Sequence, residues 1–177
     1  MNYHDITKDD MRNGPGLRVV LWVAGCEHHC PGCQNPVTWD PDDGLPFDDK
    51  AQEELFEILG RDYISGLTLS GGDPLYPGNR ECVTKLCKLA HAKFPGKTIW
   101  LYTGYTYDEI RDLEIMDYID VLVDGRYEAD LRDVKLHWVG SSNQRVIDLR
   151  SGKDIEIHPK EAIYTPVFNN PGCGCGE

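Results

Sequence analysis

Three cysteines on one short segment carry the clearest potential for chemistry in this sequence. Cys26, Cys30 and Cys33 stand in the stretch GCEHHCPGCQN with the spacing C-x3-C-x2-C, and no fourth cysteine follows nearby. Thiolates bind zinc and iron–sulfur clusters, and a closed structural site normally takes four protein ligands. The spacing therefore predicts a metal centre that lacks one protein ligand.

Three kinds of metal centre are compatible with these thiols. A zinc site would need His28 or His29 as its fourth ligand, and a ferredoxin-type cluster would need Cys173 or Cys175 from the glycine-rich C-terminal segment. A [4Fe-4S] cluster bound by three cysteines would leave one iron open to a substrate or cofactor, as an open position does in catalytic zinc sites. The two histidines are expected to shape or cover the loop and not to bind metal.

Polar or glycine-rich positions also follow three other apolar runs. Gly71, Gly72 and Asp73 follow the second run, Thr103 follows the third, and Asp124 follows the fourth. Adjacent glycines permit positive φ and a close approach of the backbone to a ligand, and the structural alternative is an ordinary tight turn. Thr103 could likewise bind a ligand or cap its own turn.

The segments that must position these residues alternate between strand and helix patterns. Apolar, β-branched runs predict strands at 17–25, around 66–70, and in two runs that end near 103 and 124. Amphipathic patterns predict helices within 48–62, 79–94 and 106–116. Asp48 or Asp49 is expected to cap the first helix, and Thr106 the third. Two runs, 145–152 and 153–159, predict a late hairpin or a pair of edge strands.

This alternation predicts a parallel sheet with crossover helices, whose functional loops gather at the carboxyl ends of the strands. Four clear βα units are too few for a closed eight-fold barrel. The expected fold class is therefore α/β, a partial, open β/α barrel with a mostly parallel sheet. We predict one domain over residues 1–166 and a flexible tail over residues 167–177.

Composition disfavours several functional classes. The 177 residues carry a net charge of −12 at pH 7, which disfavours binding to nucleic-acid phosphates. No run of about 18 apolar residues predicts a membrane span, and the polar N-terminus lacks a secretory pattern, so a cytoplasmic location is expected. In that reducing compartment, clustered cysteines favour metal chemistry over disulfides. Cys82 and Cys87 lie in a helical pattern and are expected to pack as small hydrophobic residues.

The ordered motifs resemble a known family. C-x3-C-x2-C after a first strand is the pattern of radical S-adenosylmethionine enzymes, and NGPGLR, CPGCQN, TLSGGDPLYP, IWLYTGY, VLVDGRY and GSSNQRVID occur here in order. Together, over about residues 1–150, they resemble the activating enzymes of anaerobic (class III) ribonucleoside-triphosphate reductase. Asp73 stands where the superfamily motif GGE has glutamate, a variant that the reductase activases resemble.

The resemblance implies two cofactors. Cys26, Cys30 and Cys33 would hold one [4Fe-4S] cluster per chain, and S-adenosyl-L-methionine would chelate the open iron. Residues Gly32, Cys33 and Gln34 would contact this cofactor near its adenine. The backbone of the turn formed by Gly71, Gly72 and Asp73 would hold its amino group.

The remaining implied contacts lie at later strand ends. Thr103 would hydrogen-bond the ribose or the carboxylate of the cofactor. Asp124 and Arg126 would lie near that carboxylate, with Arg126 as a bidentate clamp, unless it forms a surface ion pair. Asn143 would contact the cofactor, although a turn or cap explains the polar cluster around it equally well.

The resemblance also implies a reaction and two protein partners. The reduced cluster would cleave S-adenosylmethionine to methionine and a 5′-deoxyadenosyl radical, which would take a hydrogen atom from a glycine Cα of the anaerobic reductase. A flavodoxin-like protein would supply the electron. Two alternatives stay open: an activase of another glycyl-radical enzyme, and a Cys3His zinc module that binds a protein.

Overall fold

Eight strands and three α-helices make up the described part of the chain. The structure is a computed structural model and describes residues 1–158. The strands are β1 (Asn2–Asp10), β2 (Leu17–Val23), β3 (Leu45–Pro46), β4 (Ile64–Gly71), β5 (Thr98–Tyr102), β6 (Val121–Asp124), β7 (Arg145–Asp148) and β8 (Lys153–Ile155). The helices are α1 (Asp49–Leu59), α2 (Arg80–Lys93) and α3 (Tyr107–Ile110). Short 3-10 turns cover Pro36–Thr38, Glu114–Asp117 and Ala129–Leu131.

The strands form one mixed sheet in the order β3-β1-β2-β4-β5-β6-β7-β8. Its four central strands, β2, β4, β5 and β6, are parallel and coincide with the four predicted apolar runs. Antiparallel strands flank this centre on both sides, so only three of the seven described pairings are parallel, where a mostly parallel sheet was expected. Antiparallel neighbours need no crossover helix, so they can be joined by a tight link, as between β7 and β8, or by a longer segment, as between β6 and β7.

The N-terminal strand β1 was not predicted. Its sequence, NYHDITKDD, is mostly polar, and Ile6 is its one buried residue. The strand forms because its backbone pairs with β2, for example at Ile6 and Leu21, and not because it has an apolar face. The predicted late hairpin corresponds to β7 and β8, which pair from Val146–Ile155 to Asp148–Lys153.

The three helices cover one face of the sheet. Leu55 and Ile58 of α1 and Leu86 of α2 pack with strand residues such as Leu21 and Leu69 in one buried cluster. Asp48 caps α1 as predicted, because its carboxylate accepts the backbone N–H of Ala51 at 3.0 Å. Cys87 lies in the same cluster and is fully buried, which confirms its expected packing.

The other face of the sheet carries a smaller core and a cavity. Trp100, Val121, Val123 and Val146 pack there against Trp138 from the long segment between β6 and β7. The cavity lies between this face, the loop 11–16 and the segment 125–144. The helices thus cover one face of the sheet, and the cavity lies on the other.

Two remaining expectations concern the membrane and the tail. None of the helices in residues 1–158 is long and apolar enough to cross a membrane. The predicted tail 167–177, its boundary after residue 166, and the thiols Cys173 and Cys175 lie outside the described residues.

Candidate cofactor site at the carboxyl edge of the sheet

Four strand ends meet at one cavity. The cysteine loop follows β2, the Gly71–Asp73 turn follows β4, Thr103 follows β5, and Gly125 follows β6. Residues from all four positions line the same cavity of about 1010 Å³. The parallel register explains this convergence, because neighbouring parallel strands end at the same edge of their sheet.

The cysteine loop is anchored at its start by backbone hydrogen bonds. The N–H of Gly25 donates to the carbonyl of Thr38 at 2.8 Å, and the N–H of Cys26 donates to that of Trp39 at 3.0 Å. A tight turn then brings the N–H of Cys33 within 3.1 Å of the carbonyl of Cys30. As a result, all three cysteines of the motif line the cavity, and each is half-buried.

The local environment of the thiols suits an iron–sulfur cluster. Burial raises the pKa of Cys26 to about 11, and the backbone N–H groups of His28 and His29 oppose this rise by donating to its sulfur. The N–H of Asn35 also donates to the sulfur of Cys33 at 3.4 Å. N–H donors to sulfur are among the groups that tune protein-bound clusters, so three soft ligands with such donors fit a [4Fe-4S] cluster.

The two histidines of the loop are engaged elsewhere. Nε2 of His28 lies 2.7 Å from the carboxylate of Asp73, and the ring of His29 packs edge-on against Trp39 at 4.8 Å. Within residues 1–158, no three Cys, His, Asp or Glu side chains are arranged to hold a single metal ion. A cuboidal cluster does not require such convergence, because each thiolate binds a different iron.

The glycine turn after β4 lies tightly against the start of the cysteine loop. Gly71 has a φ of +111°, and a Cβ there would lie 2.6 Å from the backbone nitrogen and oxygen of Val23. A Cβ on Gly72 would lie 2.4 Å from the carbonyl oxygen of Gly25. Only glycine fits both positions, so this turn is an element of close backbone packing as well as a candidate contact for a ligand.

The Asp73 side chain is buried and fully engaged. Its carboxylate accepts hydrogen bonds from the Thr103 hydroxyl at 2.9 Å, from the Gly104 N–H at 2.9 Å and from the Leu75 N–H at 2.8 Å. Together with His28, these donors come from three different loops. The Thr103 hydroxyl, which also accepts the N–H of Tyr105, therefore has both a structural role and a place on the cavity wall.

The other residues of the cysteine loop occupy different positions. Gln34 lines the cavity. Gly32 has a φ of +72° and faces the segment after β6, since a Cβ there would lie 3.3 Å from that of Ala129. The loop is thus bordered by the strand ends on one side and by that segment on the other.

Three residues proposed to contact a cofactor lie behind the cavity wall. The carboxylate of Asp124 accepts the side chain of Arg145 and the N–H of Tyr107. Arg126 is exposed. The amide nitrogen of Asn143 donates to the Arg126 carbonyl at 2.8 Å. Of this strand end, Gly125 is the position that borders the cavity.

Several cavity residues were not identified from the sequence. Trp22, Tyr102 and Gln144 line the cavity together with His28. The Tyr102 hydroxyl is buried without a hydrogen-bond partner among the described residues, and burial raises its pKa. Trp22 and Tyr102 lie on strands, and side chains alternate between the two faces of a sheet. This alternation identifies them as cavity residues only after the structure has shown which face carries the cavity.

Comparison with known proteins gives consistent relatives. Residues 12–147 match the family described as a 4Fe-4S single cluster domain. The anaerobic ribonucleoside-triphosphate reductase-activating protein of enterobacteria phage T4 is 51% identical over 146 residues, 82% of this chain and 93% of that protein. The protein of the same name from Escherichia coli K12 is 46% identical over 154 residues, 85% of this chain and 100% of that protein. That from Vibrio cholerae is 42% identical over 148 residues, 81% of this chain and 96% of that protein.

Proposed function

This chain belongs to the family of anaerobic ribonucleoside-triphosphate reductase-activating proteins and carries a 4Fe-4S single cluster domain, and from this premise we propose that it is a radical S-adenosylmethionine activase of an anaerobic ribonucleotide reductase. One observation carries the proposal: the three thiols of Cys26, Cys30 and Cys33 and the glycine turn Gly71–Asp73 line one cavity. A cluster with an open iron and a cofactor bound to that iron need this proximity.

Cys26, Cys30 and Cys33 would hold the cluster through three of its irons. When bound, the cluster and S-adenosylmethionine would supply one-electron cleavage of the cofactor, with an electron delivered by another protein, and the removal of a hydrogen atom from a glycine Cα of the reductase. The chain contributes binding, orientation and exclusion of water, as proteins do for reactive cofactors. Half-buried thiols on a backbone-anchored loop suit the binding part of this task.

The glycine turn would receive the amino end of the cofactor. The N–H of Gly72 already donates to Val23 at 2.8 Å, and that of Asp73 donates to Gly25 at 2.7 Å. These hydrogen bonds hold the backbone of the turn in place. An amino group donates hydrogen bonds, so the carbonyl oxygens of the turn are the groups that would accept from it. Gly32 and Gln34 would border the adenine, since the loop that carries them forms the neighbouring wall.

The remaining proposed contacts differ in how close they lie to the cavity. Thr103 lines it and could reach a ribose or carboxylate. The Asp124 carboxylate is bound by Arg145, so Asp124 would not contact the cofactor directly and would instead position Gly125 at the end of the strand. Arg126 and Asn143 would have to reach the cofactor carboxylate from the outer side of that strand end.

The open side of the cavity would admit the protein substrate. Met11 and Val134 border it and are 74% and 81% exposed. With all helices on the opposite face and two unpaired edges in the described sheet, β3 and β8, we propose that the fold is a partial, open β/α barrel. The reductase would complete the walls, and a flavodoxin-like protein would deliver the electron.

An anaerobic reconstitution tests the proposal. The full chain is expected to bind about four irons and four sulfides, to release methionine and 5′-deoxyadenosine from S-adenosylmethionine, and to produce a glycyl-radical signal on the cognate reductase in electron paramagnetic resonance. Cys30→Ala should lose most of the iron and sulfide and abolish the other two results. A colourless protein with one tightly bound zinc would contradict the proposal, and radical formation only on a different glycyl-radical protein would reassign the partner.

A further inference from the structure

His28 of the cysteine loop is held in a buried position by Asp73. The distance from Nε2 of His28 to Oδ2 of Asp73 is 2.7 Å, and their side chains are 3% and 1% exposed. The two residues are 45 positions apart in the sequence. This contact therefore joins the loop that carries the three thiols directly to the glycine turn.

The direction of this hydrogen bond follows from the other partners of Asp73. Thr103 Oγ1 and the N–H groups of Gly104 and Leu75 all donate to the same carboxylate. The oxygens of an aspartate carboxylate accept hydrogen bonds and do not donate them. Nε2 of His28 is therefore a donor, and the contact is a charge-assisted hydrogen bond.

The packing around the ring fixes its orientation. Tyr105 lies edge-on to the His28 ring at 4.6 Å. Gly104 passes beneath it so closely that a Cβ there would lie 2.4 Å from Cδ2 of His28. The ring is therefore packed against the loop that follows β5.

One nitrogen of this ring has no partner among the described residues. Nδ1 is buried and unpaired, while the ring lines the cavity that also holds the three thiols. A histidine that served packing alone would be expected to have both nitrogens satisfied, because unpaired buried polar atoms are rare in native proteins. Packing of the loop alone therefore does not explain why a histidine occupies this position.

We propose that His28 is a positioning residue that sets the spacing between the thiols and the glycine turn. Through Asp73, it would hold the cysteine loop at the distance at which a cofactor bound by the turn can also reach the open iron. This inference rests on the proposed function, because it assumes that cluster and cofactor occupy the common cavity.

Two substitutions of His28 isolate the role of Nε2. The amide nitrogen of glutamine can reach the position of Nε2, whereas that of asparagine reaches only the position of Nδ1. His28→Asn therefore loses the bond to Asp73, and His28→Gln can keep it. His29→Asn is the matched control, since His29 is exposed on the same loop and makes no contact with Asp73.

The test uses reconstituted full-length protein. S-adenosylmethionine is added in increasing concentration, and the change in the electron paramagnetic resonance spectrum of the reduced cluster gives the affinity. For His28→Asn we expect about four irons per chain and an affinity for S-adenosylmethionine roughly 10- to 100-fold weaker, as for loss of a charge-assisted hydrogen bond. His28→Gln should recover to within about threefold of wild type, and His29→Asn should match wild type.

The outcomes separate two failures. A wild-type spectrum that does not respond to S-adenosylmethionine would overturn the proposed function and this inference with it. A wild-type response that His28→Asn retains at full affinity would overturn the inference alone, as would a His28→Gln protein as weak as His28→Asn. If His28→Asn loses iron as well, a His28→Gln protein that keeps its iron but binds S-adenosylmethionine at least about tenfold more weakly than wild type would overturn the inference.

Discussion

The carboxylate of Asp124 is bound by Arg145 of the neighbouring strand β7 and not by Arg126, which lies two residues further along the chain, after the end of β6. The Asp124 side chain is 1% exposed and accepts a hydrogen bond from Nε of Arg145 at 3.0 Å, while the Arg145 side chain is 46% exposed. The two residues face each other in the register of β6 and β7. The Asp-Gly-Arg motif thus contains a buried residue with a structural partner and an exposed arginine that forms no ion pair within residues 1–158.

Substitution of Arg145 is expected to lower stability, and substitution of Arg126 is not. Arg145→Gln should lower the free energy of unfolding by about 1–2 kcal/mol, because it weakens a charge-assisted bond that is only partly buried. Arg126→Gln should leave it within about 0.5 kcal/mol, since the side chain is exposed. Chemical denaturation measures both values. If Arg126 clamps the cofactor carboxylate, its substitution will weaken affinity for S-adenosylmethionine at unchanged stability, and unchanged affinity would remove that role.

Cysteine substitutions should divide the chain into ligands and packing residues. Cys26→Ala, Cys30→Ala and Cys33→Ala should each lose most of the roughly four irons expected per chain, because a cuboidal cluster cannot keep its site with two thiolates. Cys82→Ala is the control, since Cys82 is half-buried on α2 and does not line the cavity. Iron and sulfide analysis after anaerobic reconstitution decides the matter. Full iron content in any of the first three variants would contradict the assignment.

Two glycines with positive φ should respond differently to alanine. Gly71→Ala combines a strained backbone with a contact of 2.6 Å to Val23, whereas Gly152 has a φ of +65° and no atom within 4 Å of the point where a Cβ would lie. We expect a loss of about 3 kcal/mol or more at Gly71 and about 1 kcal/mol at Gly152. Thermal or chemical unfolding measures the difference. Equal losses would show that close packing of the turn contributes nothing.

The reactivity of Cys26 in the cluster-free protein should depend on pH in a shifted range. Burial raises its pKa to about 11, so its alkylation rate should keep rising up to that pH. In the chain unfolded by guanidinium, the rise should level off near about pH 8.5. The folded protein keeps a proton that the unfolded chain loses, so this thiol lowers stability as pH rises between the two values. Mass spectrometry of alkylated peptides measures the profile, and identical folded and unfolded profiles would refute it.

Arg18 should be a major determinant of stability. It is fully buried on the cavity face of β2 and donates to Thr68 at 2.7 Å and to the carbonyls of Leu67 and Thr98 at 2.7 and 2.9 Å. Burial lowers its pKa to about 10, so the guanidinium stays charged at neutral pH. Arg18→Lys should cost about 2–4 kcal/mol, because an ammonium cannot match this fork of donors.

A matched substitution separates burial from the chemistry of arginine. Arg111→Lys changes an exposed arginine, whose side chain is 58% accessible, and should alter stability by less than about 0.5 kcal/mol. Denaturant titration of both variants gives the comparison. If Arg18→Lys and Arg111→Lys lose equally little stability, the hydrogen bonds of Arg18 to Thr68 and to the carbonyls contribute little to the free energy of unfolding.

The elements with apolar patterns could be predicted, and those without one could not. The four parallel strands lie where the β-branched runs are, and Asp48 caps α1 as the sequence indicates. Strand β1 escaped prediction because it has one buried residue, Ile6, and its pairing depends on the backbone of β2. For the same reason the mixed character of the sheet could not be derived, since pairing direction depends on contacts between distant segments.

The sequence by itself determined which residue types could do chemistry and which strand ends carry them. The spacing of three cysteines and the glycine turn need no structure to be recognised, because covalent spacing and the absence of a Cβ act locally. Tertiary structure decided the partners: His28 with Asp73, and Asp124 with Arg145. These pairs join residues 45 and 21 positions apart, and only the register of the sheet brings them within hydrogen-bonding distance.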